Sequence, residues 1–246
     1  MNQRSPHEYF LLGETLYERG QFQEAATAWR AAMVGGDPII AANAAVNVGS
    51  MLKRTGVLDE AEGAYAIALD HKMEDTSARA GIALAELRAE RGDLQGAAEA
   101  YRAVLSLKDL PHIPQAALNL GVTAQQLGDL EEALECFRLA AEVSDTEPGR
   151  SLAMLNLGLL MAELNSLPQA RDAFQAVTDW GDEDLSPKAK LNLGLVHFAM
   201  GDTKRARMIW SELVESGHPV VAPQARHNVA LLDEGVEKKD GGEWFC

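Results

Sequence analysis

The sequence predicts an all-α solenoid, built from helix hairpins that recur about every 36 residues. Three observations carry that prediction. A small residue returns at Gly13, Gly49, Ala85, Gly121, Gly158, Gly194 and Ala230, at intervals of 36 residues with a single 37. Twelve residues after each of the first six stands an alanine (Ala25, Ala61, Ala97, Ala133, Ala170, Ala206), and four further on a ring (Trp29, Tyr65, Tyr101, Phe137, Phe174, Trp210). Between slot and alanine lies a turn signal: Gly20, Gly56, Gly92, Gly128, Asn165 or Gly201. Self-similarity of this length marks an array whose units bury their apolar faces against copies of themselves. Abundant alanine and an aromatic content of only 6% favour close-packed helices over sheet.

Taken in order, the elements justify themselves. Ser5-Pro6-His7-Glu8 starts the first helix, since an N-cap Ser and a Pro in the first turn both suit amides that lack helical partners. That helix is expected to reach Arg19, and its mate to run from Phe22 to Met33. The second unit runs from about Ile39 to Asp70 around Thr55-Gly56, and the third begins after Asp75-Thr76-Ser77 and turns at Gly92-Asp93. The fourth ends near Val143 and is followed by a linker over 144–149 that holds the extra residue. The fifth turns at Asn165, a residue that tolerates left-handed dihedrals. The sixth starts at Ser186-Pro187 and turns at Gly201-Asp202. One domain is thus predicted over 5–234, with repeats at 5–37, 38–74, 75–110, 111–146, 147–183 and 184–219. A lone helix over 222–234 caps the array, and 235–246 is a mobile tail.

Mid-helix glycine costs about 1 kcal/mol relative to alanine. Its return at five slots requires a reason, and close approach of the paired helix supplies one. A small residue followed four positions on by a ring, on one helical face, reads as a hole beside a knob. The ring column is therefore core rather than a cofactor box.

Composition narrows the function. The formal charge is −15, with 11 Lys+Arg against 16 Asp+Glu in residues 1–123 and 11 against 21 in 124–246. Nucleic acid and anionic membrane are repelled on average. No apolar run approaches the ~20 residues of a membrane helix, and the N-terminus carries no apolar signal core, so a soluble cytoplasmic protein is expected. Cys136 and Cys246 make no disulfide framework. The six histidines show no His-Glu-x-x-His spacing, no glycine-rich phosphate loop is present, and acidic runs such as Asp182-Glu183-Asp184 sit in linkers. Neither a cofactor, a metal nor a catalytic constellation is expected.

The set Leu120-Gly121, Gly128-Asp129, Ala133, Phe137 and Ala140 resembles the tetratricopeptide repeat, in a 36-residue variant common in bacterial arrays. The resemblance covers residues 5–234 as six copies and a cap. It implies a right-handed superhelix whose first helices line a concave groove, binding of peptides, tails or helices of a protein partner, and usually no catalysis.

It also gives meaning to an asparagine column. Asn47, Asn119, Asn156, Asn192 and Asn228 stand two residues before the small slot, the position that faces the groove in the family. Asparagine is a mediocre helix former, yet its amide both donates and accepts. A row of such amides can bind the backbone of an extended peptide; the other reading is that each braces the neighbouring helix. Groove-side slots also carry Asn43, Ser50, Arg54, Arg79 and Glu86 early, and Leu152, Leu155, Leu159, Leu191 and Leu195 late, with Lys188 and His227 nearby. A polar, partly cationic first half and an apolar second half follow, although the leucines also read as inter-repeat core. Asn192 and Lys188 match slots of a carboxylate clamp, but Phe10 and Glu14 break it in the first repeat. Trp244, Phe245 and Cys246 set two rings and a thiol on a polar tail, which either folds back on the cap helix or acts as a ligand. The expected function is a non-catalytic adaptor or scaffold; a peptide-responsive sensor and a subunit of an enzyme complex are the alternatives. Phe10, Leu11 and Leu12 near the chain start leave homo-oligomerisation open.

Overall fold

The computed structural model describes residues 4–34, 36–107 and 111–234, and thirteen α-helices are found among them. They belong to two compact units, residues 1–129 and 130–246. The first holds α1 (Pro6–Glu18), α2 (Phe22–Met33), α3 (Pro38–Arg54), α4 (Leu58–Asp70), α5 (Glu74–Glu90), α6 (Leu94–Ser106) and α7 (Ile113–Leu127). The second holds α8 (Leu130–Val143), α9 (Glu147–Glu163), α10 (Leu167–Trp180), α11 (Ser186–Ala199), α12 (Thr203–Ser216) and α13 (Val221–Asp233). Six hairpins and a closing helix, the solenoid pattern the period predicts, account for that order.

Local chemistry sets the helix ends. Glu8 N–H donates to Ser5 Oγ while Ser5 N–H donates to the Glu8 carboxylate, so α1 opens on a complete capping box. The Ser5 backbone N–H, and after it the Ser5 side chain, hydrogen-bond the Glu8 carboxylate, favour its ionised form and lower its pKa. Asn165 carries the fifth turn at φ +55°, and Lys72 does the same at φ +52° between α4 and α5. Two expected boundaries move. α5 begins at Glu74, so Thr76 and Ser77 lie inside the helix rather than before it. Both are buried, and their hydroxyls bond outward: Ser77 Oγ to the Ala68 carbonyl and Thr76 Oγ1 to Asn43 Oδ1. α9 begins at Glu147, which shortens the linker read over 144–149. Thr146 caps it by accepting from Gly149 N–H, and Pro148 is tolerated in a first turn.

The repeated glycine is explained by the ring sixteen residues on, not by the mate's backbone. A Cβ at Gly13 would overlap the Trp29 indole, and one at Gly194 the Trp210 indole. At Gly49 it would lie 2.7 Å from Tyr65 Cδ1, and at Gly158 2.7 Å from Phe174 Cε1. These are below the ~3.5 Å at which carbon atoms meet. The six ring residues and the six alanines beside them are buried. Full burial of a large apolar side chain contributes ~1.5–3 kcal/mol, which offsets the glycine cost in each hairpin. Ala230, expected in the same role, is exposed.

Within each unit the first helices form the tighter layer. α1 touches α3 and α3 touches α5 in the first unit; α9 touches α11 and α11 touches α13 in the second. No pair of second helices makes comparably extensive contact among the described residues. The first-helix face is therefore the inner face of each unit.

Candidate functional site

The inner face of the first unit is laced by polar bonds from one first helix to the next. Asn47 Nδ2 donates to Glu14 Oε1 at 2.8 Å, joining α3 to α1. Arg54 Nη1 donates to Tyr17 Oη at 2.6 Å, and its guanidinium lies 5.7 Å from the Tyr17 ring centre and 5.0 Å from that of Phe22. Thr76 Oγ1 donates to Asn43 Oδ1 at 3.0 Å, and Lys53 Nζ pairs with Glu90 at 2.8 Å, joining α5 to α3. His112, at the start of α7, meets Asp75 of α5 at 3.0 Å. The partners stand 33 or 37 residues apart, which is one repeat less three or plus one. Those separations are the sequence signal that finds Glu14, Tyr17, Thr76 and Asp75 as part of this face.

A second network ties α4 to α5. Glu62 accepts from Arg88 Nε at 2.8 Å and Arg91 Nη1 at 3.1 Å, and Arg91 also pairs with Asp59 at 2.8 Å. Asn119 of α7 hydrogen-bonds the Tyr101 phenol. Burial, and then the Glu86 charge, push the Tyr101 pKa up to about 12 against the opposing pull of that bond. Arg79 is exposed, Ser50 and Arg54 likewise, and Glu86 is half-buried.

In the second unit the same register is filled differently. The slot of Glu14 and Ser50 holds Leu159, half-buried, and Leu195, buried. The slot of Asn43 and Arg79 holds Leu152, 37% exposed, and Lys188, exposed. Asn156 is half-buried, and its Nδ2 donates to the Leu152 carbonyl of its own helix at 2.9 Å. Its Oδ1 accepts no hydrogen bond from the described residues. Asn192 is only 1% exposed and donates to the Lys188 carbonyl at 3.1 Å. Leu191 and Leu195 join Ala206, Trp210, Leu213, Val221 and Ala225 in a core between α11, α12 and α13, and Leu155 is buried as well. Asn228 is half-buried and His227 exposed, both on α13. Trp244 and Phe245 lie outside the described residues.

A cavity of about 350 Å³ lies where the α10–α11 link and the start of α11 meet the end of α12, lined by Asp182, Glu183, Ser186, Lys190, Ser216 and His218 among others. His218 Nδ1 accepts from the backbone of Val220 and Val221, which commits that nitrogen to the turn before α13. Among the described residues no three of His, Cys, Asp and Glu are grouped to hold a metal ion. No helix there is long and apolar enough to cross a membrane.

Family models agree with this architecture at three places. Tetratricopeptide repeat models match residues 9–31, 113–179 and 188–219. The chain is a tetratricopeptide repeat protein. Solved structures of similar fold include YrrB, a tetratricopeptide repeat protein with an unusual peptide-binding site; it superposes with a TM-score of 0.64 at 18% identity, over 82% of this chain and 99% of that one. PilF of Pseudomonas aeruginosa gives a TM-score of 0.61 at 16% identity, over 91% and 97% of the two chains. BtubC of P. vanneervenii gives 0.61 at 18%, over 99% and 98%. At these identities the likeness is one of fold. No protein of curated function matches this tetratricopeptide repeat chain. Members of the family generally serve as protein–protein interaction modules.

Proposed function

We propose that this chain is a non-catalytic adaptor that holds an extended segment of a partner protein on the inner face of its second unit. Asn156 contacts the peptide backbone there, and the side chains around it choose the sequence. The observation that carries the reading is the state of that asparagine. It sits beside exposed Leu152 and half-buried Leu159 with an acceptor left unused. An amide set between apolar side chains offers a peptide a backbone hydrogen bond next to a place for an apolar side chain. Lys188 adds a cation at the edge, while buried Asn192 and Leu195 form the floor. His227 and Asn228 extend the same register onto α13. In the first unit Asn43, Asn47 and Asn119 are already bonded to neighbouring side chains. A ligand there must exchange those bonds, and Arg79 is the exposed cation beside them. YrrB, whose fold is similar, is described by its peptide-binding site, which adds support.

The test selects ligands from a random 12-residue peptide library displayed on phage, then measures a selected synthetic peptide by fluorescence anisotropy. Replacing Asn156 and Leu159 together by alanine is expected to weaken binding about five- to thirtyfold, since one lost hydrogen bond and one lost apolar contact amount to ~1–2 kcal/mol. Circular dichroism should stay unchanged. Equal affinity for wild type and the double variant would place the interface elsewhere.

A further inference from the structure

α13 carries an aromatic-ring slot that the described residues leave open, and we propose that Trp244 of the same chain fills it. The slot is defined by its filled copies. In four hairpins the small residue of a first helix is covered by a ring sixteen residues later: Gly13 by Trp29, Gly49 by Tyr65, Gly158 by Phe174 and Gly194 by Trp210. α13 has the character of a first helix. It packs on α12 and α11, and Val221, Ala225, Val229 and Leu232 close the core behind Trp210. Its other face repeats the α11 positions that meet the ring. Leu191, Gly194, Leu195 and Phe198 become His227, Ala230, Leu231 and Glu234 one period later. Ala230 is exposed there, whereas Ala85, the alanine that holds the same slot in α5, is 0% exposed.

The occupant follows from spacing and chemistry. Trp244 and Phe245 stand 14 and 15 residues after Ala230, close to the sixteen that separate slot and ring elsewhere. The ten residues between the end of α13 and Trp244, 234–243, can span ~33 Å when extended, more than a return across one helix requires. Tryptophan suits this copy better than phenylalanine. Trp210 seats its indole N–H on the Leu191 carbonyl at 3.2 Å, and the corresponding carbonyl on α13 belongs to His227. The flanks of this slot, His227 and Glu234, are polar, so the ring beside them benefits from a donor. The docked tryptophan covers the outer face of the last helix and occupies the place a seventh hairpin's second helix would take.

The experiment uses the full chain labelled with 5-fluorotryptophan and ¹⁹F NMR. The sequence has four tryptophans, and Trp244→Phe assigns the fourth signal. The Trp244 signal is expected to differ from its position in urea-unfolded protein and to move toward it when Ala230→Arg blocks the slot. The signals of Trp29, Trp180 and Trp210 should hold, which shows that the fold is intact. Ala230→Gly, which keeps the slot, should leave the Trp244 signal in place. A Trp244 signal at the unfolded position, or one indifferent to Ala230→Arg, overturns the proposal. So does a signal that responds to Asn156→Ala instead, which assigns the ring to the peptide face. A displacement lost on dilution overturns it as well, because the occupant is then a second copy's tail.

Discussion

The two units use one repeat pattern and dress it in opposite ways. In the first, the slots on the inner face hold Glu14, Tyr17, Asn43 and Lys53, and each bonds a side chain one repeat away. In the second, the equivalent slots hold Leu159, Ala162, Leu152 and Phe198, and the leucines continue into the core through Leu155, Leu191 and Leu195. The comparison teaches that the buried column of alanine and ring builds the hairpin in both units. The slot beside that column is free to serve either cohesion or a ligand. Where it is polar and paired, it is spent on cohesion. Where it is apolar and partly exposed, an asparagine such as Asn156 bonds only the carbonyl of its own helix among the described residues.

The largest effect should come from the part the units share. Trp210 is 2% exposed and donates its N–H to Leu191, so Trp210→Ala is expected to destabilise by ~3–5 kcal/mol. Trp29 is equally buried at 3%, but its Nε1 finds no acceptor among the described residues. A buried donor without an acceptor costs ~1–3 kcal/mol. Replacement by phenylalanine therefore separates the two: Trp210→Phe should lose ~1–2 kcal/mol while Trp29→Phe is neutral or stabilising. Urea unfolding followed by circular dichroism reads both. Equal losses at the two sites would show that the indole hydrogen bond is irrelevant to either hairpin.

Much of this was legible in the chain. The period gave the hairpins, and the glycine column with its rings gave the core, because close packing admits so few residue types at such a slot. The ladder of the first unit was harder to read. Its members, Glu14 with Asn47 or Asn43 with Thr76, are polar residues of ordinary helical type. Nothing in composition distinguishes a solvated face from a bonded one; only the separations of 33 and 37 do. Thr76 and Ser77 lie inside α5, not before it, for a related reason. A hydroxyl before an apolar run signals a helix cap, but here tertiary contacts claim both hydroxyls from within the helix. Asn192 shows the same limit, since spacing puts it in a column with Asn156 but burial makes the two amides unlike.

A smaller effect tests how far the polar lacing holds the first unit. Glu62 receives both Arg88 and Arg91, and the side chains of Glu62 and Arg88 are 28% and 25% exposed. Glu62→Ala is expected to cost ~1 kcal/mol, the upper part of the range for partly solvated pairs. The loss should shrink in high salt, because ions screen such pairs. Arg171 pairs with adjacent Asp172 on the surface of the second unit, and Asp172→Ala should change stability by no more than a few tenths of a kcal/mol. If the Glu62 variant behaves like the Asp172 variant, the lacing of α4 to α5 is incidental to the first unit's stability.

The finest test uses pH. Tyr101 closes the α5/α6 hairpin with its ring buried and its phenol on Asn119. Folding raises its pKa from 10.0 to about 12, chiefly because burial disfavours the phenolate, with the Glu86 charge adding to it. An acid whose pKa is raised in the folded state keeps its full contribution below the unfolded value. That contribution falls as pH climbs toward the folded value, because the unfolded chain releases its proton first. Stability should therefore decline between pH 10 and about 12 more steeply in wild type than in Tyr101→Phe, which has no proton to lose there. Near neutrality the variant should be weaker by only ~1 kcal/mol, the worth of one hydrogen bond. Matched urea unfolding at pH 8 and near pH 11 gives the difference, with the lysines and the other tyrosines cancelling between the two proteins. Parallel losses would mean that the phenol reaches solvent as easily folded as unfolded. The first unit's ring slot would then be more open than the second's, and its asparagines correspondingly freer.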